Sequence, residues 1–308
     1  MTNEQRIKNL EVPTGKVDVV MDTDAFNEID DQFAIAYLMS CKRKLTTKAF
    51  YAAPFENENS ENAADGMEKS YHEIYKILDM LGDKVDVFRG SDRFLPDEET
   101  PVISPAAQDL AERVKDYSPE HPLYVVAIAA LTNIASAILL NPQVAENTVV
   151  VWLGGHALHY HDTKEFNMRQ DIAAARVVIG SGVPFVQLPC HGVVSSFTIS
   201  KPELEYWMIG KSAVSHYLAE NAINAAEKYA SGLPWTRCLW DVAAPAWLMS
   251  ERDSMMISTL IPMHLPTYDG HYECPHNGIM VRYVYEIKRD SMMTDMLARV
   301  LAPRHIHL

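Results

Sequence analysis

Short apolar runs alternate along this chain with longer stretches whose apolar positions recur every three or four residues. The first run, 16–21, carries Val17, Val19, Val20 and Met21 and reads as a strand. Residues 63–81 set Met67, Ile74, Ile77, Leu78 and Leu81 at helical spacing, with Glu68, Lys69, Glu73 and Lys76 facing outward. A strand is predicted at 85–88. Another is predicted at 123–128, near-continuous in apolar residues as expected for a strand buried on both faces. There follow a helix at 132–140 closed by Asn141-Pro142, a strand at 148–153, a Gly154-Gly155 turn, a helix at 171–179 and a strand at 184–188. Residues 201–230 read as helical and 229–235 as a mobile loop; the pattern weakens past 250, apart from a late strand at 278–285. His305 and His307, at the end of the sequence, are expected to fray. Repeated strand–helix–strand units predict an α/β fold, an open, mostly parallel sheet with helices on both faces. Ligands then belong beyond the carboxyl ends of the strands. No linker or internal repeat stands out, so the 308 residues read as a single domain.

Charge narrows the field. With 27 Lys and Arg against 41 Asp and Glu, the formal charge of −14 argues against nucleic acid, whose affinity comes mainly from basic side chains. No apolar run reaches the roughly 20 residues that cross a bilayer, and the polar N-terminus lacks the apolar core of a secretory signal. Cys41, Cys190, Cys238 and Cys274 are scattered, as expected for reduced thiols of a cytoplasmic protein.

Candidate chemistry concentrates after the first strand, in Asp22-Thr23-Asp24 and Asp30-Asp31. A fold that gathers like charges so tightly usually supplies a cation or raises a pKa. The plain alternative is a solvated acidic turn in which Asp30 caps the helix that Asp31 opens. Three further polar groups fall at predicted strand ends: Thr132-Asn133, Glu165-Phe166-Asn167 and Trp240-Asp241. Carboxylates with a backbone carbonyl suit a hard cation, Ca²⁺ or Mg²⁺. Other templates fit worse. Counting from Asp22, the fifth and sixth positions of an EF-hand loop would be Phe26 and Asn27, where a ligand and a glycine belong. The Asp-x-Asp-x-Thr/Val of haloacid dehalogenase phosphatases fails at the same Phe26, and no dinucleotide glycine fingerprint follows the first strand.

Asp22-Thr23-Asp24, Asp30-Asp31, Leu131-Thr132-Asn133-Ile134-Ala135, Glu165-Phe166-Asn167 and Asp241, in that order and approximate spacing, resemble the nucleoside hydrolase family over about residues 17–250. The resemblance implies a Rossmann-like core with Ca²⁺ at the bottom of a deep pocket. Asp24, Asp31 and Asp241 then match its carboxylate ligands, and Thr132 the residue lending a backbone carbonyl. Asp30 matches the carboxylate that takes a proton from the attacking water. Glu165 and Asn167 match groups that hold the ribose hydroxyls, Asn57 or Asn59 supplies a further Asn, with Asn57 favoured, and Asp22 supports the site. A homodimer or homotetramer is implied as well. Chemically the set is coherent, because cleaving an N-ribosidic bond develops positive charge on the sugar and carboxylates stabilise it.

The chain also departs from that family. The segment from Asp24 to Asp30 is two residues longer than the usual Asp-Pro-Gly-x-Asp turn, and Ala129-Ala130 replace a common glycine. His159 stands where an Asn would contact the 5′ side of the sugar. Trp240 occupies a position where many members carry a His that protonates the leaving base, whereas the purine-preferring branch has a stacking Trp there. Plain core packing is the alternative for Trp240, and a partly exposed loop is the alternative for the His156, His159 and His161 cluster. Tyr229, Trp235 and Arg237 either close over a substrate or cap the surface. The expectation is a calcium-dependent hydrolase of a purine ribonucleoside. Its rivals are a hydrolase of another ribosyl compound and a non-catalytic nucleoside-binding protein.

Overall fold

The structure, a computed structural model, describes residues 1–274 and 278–302; His305 and His307 lie outside them. Ten strands are present among these residues: β1 Val17–Thr23, β2 Leu45–Ala52, β3 Asp86–Arg89, β4 Leu123–Ala127, β5 Thr148–Leu153, β6 Phe185–Leu188, β7 Thr198–Ser200, β8 Thr236–Cys238, β9 Met256–Pro262 and β10 Met280–Ile287. Eight of them form one sheet in the order β3-β2-β1-β4-β5-β6-β10-β9, parallel except for the antiparallel β9 edge. β7 and β8 form a separate antiparallel ribbon.

Side-chain alternation along each central strand feeds two cores, one per face. Val19, Met21, Tyr124, Val126, Val149 and Val151 enter one cluster, while Val20, Val125, Val150 and Trp152 enter the other. Helices cover both faces, which is why these strands are apolar at nearly every position. The order reverses between β1 and β4. That switch point, where neighbouring crossovers diverge, opens a crevice beyond the strand ends.

The helix Ala63–Leu81, the helix Thr132–Leu140 and β5 have the predicted bounds. The predicted 201–230 helix is instead two, Lys201–Trp207 and Ala213–Ala230. Gly210 breaks it in the left-handed region (φ 72°), and Ser212 caps the second helix through a hydrogen-bonded box with Ser215. Among the elements without a clear sequence signal are β2, β9, and the helices Pro105–Arg113 and Arg289–Val300. Among the described residues no helix is long and apolar enough to cross a membrane.

Candidate active site

A cavity of about 380 Å³ opens at the carboxyl ends of the central strands. Ile128 after β4, Leu153 and His156 from the end of β5, and Cys190 and His191 after β6 line it. Glu28, Asp30 and Asp241 give it an acidic side, and Glu165, Asn167 and Trp240 also line it.

The acidic cluster is buried, not solvated. Asp22, Asp24, Asp30, Asp31 and Asp241 are each at most 5% exposed. Carboxylate oxygens of Asp30, Asp31 and Asp241 lie within 4.8 Å of one another, a spacing that could hold a metal ion. Asp30 stands at the N-terminus of the helix Asp31–Ser40, yet its side chain makes no capping bond. Its Oδ2 instead accepts from the Asp241 N–H at 3.2 Å, across 211 residues of sequence. This rules out the capped acidic turn. Thr23 donates to Asp31 Oδ1 at 2.6 Å.

Asp24 sits outside the tight triad but feels Asp31, Asp22 and Asp30 electrostatically. Both of its oxygens, one of Asp31 and one of Asp22 are buried without a hydrogen-bond partner. Such groups are costly unless something positive compensates them. Desolvation, reinforced by mutual repulsion, drives Asp24, Asp30 and Asp241 well above the ordinary carboxyl range. Burial lifts Asp22 to about 7, opposed by its bond from Asn133, and Asp31 to about 6, opposed by its bond from Thr23.

The other predicted residues divide. Asn133 donates to Asp22 Oδ1 at 2.8 Å and accepts from the N–H and hydroxyl of Ser91, tying β1 to the turn after β3. Thr132 is fully buried at the start of its helix but does not line the cavity; its hydroxyl donates to Asp171 Oδ2 at 2.7 Å. Glu165 caps the helix Phe166–Gln170, accepting from the N–H groups of Asn167, Met168 and Gly155 at 2.8–2.9 Å. Asn167 donates to the Leu153 carbonyl at 3.0 Å.

Two expected substrate contacts lie off the cavity wall. His159 is exposed beside Gly192, and the wall's imidazoles are His156 and His191. Asn57 bonds to Asn27 Oδ1 at 2.6 Å, Asn59 donates to the Asn27 carbonyl at 2.8 Å, and it is Asn27 that lines the cavity. This also accounts for the long first segment. Asn27 is held by Asn57 and Asn59, and Gln32 donates to the Ala25 carbonyl at 2.7 Å, so the two extra residues fold into a fixed turn. Asn27 and His191 escaped the sequence reading, although His191 follows a predicted strand end, where ligand contacts are expected.

Trp240 is half-buried in the wall rather than sealed in the core, and His191 meets its ring edge-on at 5.3 Å. His191 also stacks on Tyr160, at 5.5 Å and 15°. His156 is buried behind them. Desolvation, with His191 adding repulsion, lowers it to about 4. Arg237 donates to Glu28 at 2.8 Å and to the Tyr229 hydroxyl at 3.0 Å, bridging the first turn to the segment before Trp240.

Residues 19–272 match the family model described as inosine-uridine preferring nucleoside hydrolase. The chain belongs to that family. Solved members and neighbours of the nucleoside hydrolase fold superpose over nearly their full lengths. A plant nucleoside hydrolase gives a TM-score of 0.72 at 18% identity, covering 93% of this chain and 99% of that one. A purine-preferring ribonucleoside hydrolase from Gardnerella vaginalis gives 0.71 at 18%, covering 92% and 98%. The type III effector protein XopQ, solved with adenosine diphosphate ribose, gives 0.70 at 17%, covering 98% and 99%. Likeness at this level of identity establishes the nucleoside hydrolase fold. A comparison with curated protein sequences gives no match.

Proposed function

We propose that this nucleoside hydrolase family member is a calcium-dependent N-ribohydrolase that cleaves a purine ribonucleoside to ribose and free base, working in the cytoplasm. The observation that carries the reading is the buried group of orphaned carboxylate oxygens on Asp24, Asp31 and Asp22, joined at cavity level by Asp30 and Asp241. A donor set of carboxylate oxygens alone fits a hard divalent cation and offers zinc none of its preferred ligands. Asp24, Asp31 and Asp241 would hold it, with the Thr132 carbonyl completing the set. When bound, Ca²⁺ offsets the repulsion among the carboxylates, orients the ribose diol and acidifies water.

The remaining work falls to the chain. Asp30, its Oδ2 fixed by the Asp241 N–H, is the general base that takes the proton of the attacking water. The carboxylates around it stabilise the positive charge that develops on the sugar as the bond to the base lengthens. Glu165 and Asn167, held by backbone bonds of their own, present their remaining acceptor capacity to the sugar hydroxyls, which lowers the entropic cost of alignment. Trp240 and His191 form the base subsite, where a flat ring stacks on the indole and meets the imidazole edge. Stacking on an aromatic face contributes about 1–3 kcal/mol per base, which favours the larger purine. Assembly as a homodimer or homotetramer is carried by the family resemblance.

The decisive variant is Asp30→Asn. It should cut turnover of inosine by about 100-fold or more, the usual worth of a general base, while calcium binding measured by calorimetry persists. Near-normal turnover would remove Asp30 from the base role.

A further inference from the structure

The two edges of the main sheet are built differently. At one end β3 is four residues long, with charged Asp86 and Arg89 at its ends and Arg89 paired to Glu68 at 2.6 Å. Shortness and charge are the usual guards against another strand joining a sheet. At the other end β9 has neither. It runs seven residues, and the chain carries no Asp, Glu, Lys or Arg from Ser254 to Tyr268. Its inner edge pairs with β10, and no strand among the described residues pairs with its outer edge. The register shift in that ladder places the extra residue, Tyr285, on β10, so β9 itself runs unbroken. Within β9 only Met256 is buried; Thr259 and Pro262 are exposed and the others half-buried. Pro262, with no N–H to donate, ends the strand without interrupting it.

An open strand edge offers a row of N–H and C=O groups to any strand that can approach it. Charge selects which one. At a net −14 the chain repels a second copy of itself over most of its surface, and that repulsion is weakest along the uncharged edge. The sequence of β9 also complements its own reverse. Antiparallel pairing about a two-fold axis at Thr259 sets Thr259 against its own counterpart. The same axis sets Ile257 against Ile261 and Ser258 against Leu260. Pairs of β-branched side chains and of threonines are favourable cross-strand neighbours. We infer that β9 is the docking edge for a second copy of this chain, which joins the two main sheets into one across a two-fold axis. Such an interface is isologous, so every contact and every main-chain hydrogen bond in it occurs twice. No residue of β9 or β10 lines the cavity, so pairing leaves both active sites open. The inference stands apart from the N-ribohydrolase reading and gives the homodimer proposed above its face.

The test is sedimentation equilibrium of the full chain, wild type against Thr259→Lys. Thr259 is exposed, and the substitution sets two like charges face to face across the axis. The wild type should sediment at twice the monomer mass. The variant should associate at least about 10-fold more weakly, as like charges brought together in an interface require. A wild-type tetramer that the variant reduces to dimers supports the same edge as one of two interfaces. High salt should leave the wild-type dimer intact, because no ion pair holds it. A wild type that stays monomeric, or an oligomer that Thr259→Lys leaves unchanged, overturns the inference, and neither result touches the hydrolase reading. Should the variant fail to fold, hydrogen exchange in the wild type decides. Amides of residues 257–261 gain protection as protein concentration rises if β9 pairs with its copy; exchange independent of concentration refutes the pairing.

Discussion

The most constrained side chains in this molecule are five aspartates that burial makes expensive to ionise. Asp22 is lifted to about 7 and Asp31 to about 6, and Asp24, Asp30 and Asp241 are raised further in direction, all chiefly by desolvation. For an acid whose folded pKa exceeds its unfolded value near 4, ionisation favours the unfolded chain as pH rises. The stability these groups leave intact below pH 4 is therefore lost progressively up to about pH 7 in the metal-free protein. A divalent cation binds the ionised form and reverses that trend by mass action. The melting midpoint of chelated protein should fall between pH 4 and pH 7 relative to calcium-loaded protein, the gap widening with pH. His156, depressed to about 4, pulls stability the other way over the same range, but it is present in both samples and cancels in the comparison. A gap that stays constant with pH would mean the carboxylates do not bind the ion. At this scale the sequence was most legible where chemistry clusters, as at Asp22, Asp24 and Asp30-Asp31. It was least legible where a side chain acts through another. Asn57 reaches the cavity only by holding Asn27, and His159 yields its place to His156 and His191, because which loop residue turns inward depends on tertiary packing.

Elements that are strongly periodic or wholly apolar were readable to the residue, as the helix Ala63–Leu81 and β5 show. β2 begins Leu45-Thr46-Thr47-Lys48, half polar because its first residues are only partly covered, and its apolar signal starts at Ala49. β9 lies at the sheet edge with one face partly exposed, which dilutes its pattern. The short helix Phe166–Gln170 has the closest link to function, because its cap is a predicted substrate ligand. One carboxylate receives three N–H groups there, leaving Gln a poor substitute: its amide nitrogen would face a donor. Glu165→Gln should cost about 1–3 kcal/mol in unfolding free energy and raise KM for the ribosyl substrate more than a surface control such as Glu205→Gln. Unchanged stability in chemical denaturation would show that the cap is dispensable.

Across the whole molecule, the strand order places the acidic cluster at the sheet's switch point, so chain segments more than 200 residues apart meet there. The fold class was legible because it follows from the repeat of strand and helix, and the family because its motifs keep their order. The convergence of Asp30 on the Asp241 backbone became visible only in three dimensions. A single assay bears on all of this: ribose release from inosine by the purified chain, with a calcium chelator and after calcium is restored. Release should cease with the chelator and return with calcium. Equal rates in the two conditions, or no ribose in either, would contradict a calcium-holding carboxylate cup as the seat of catalysis.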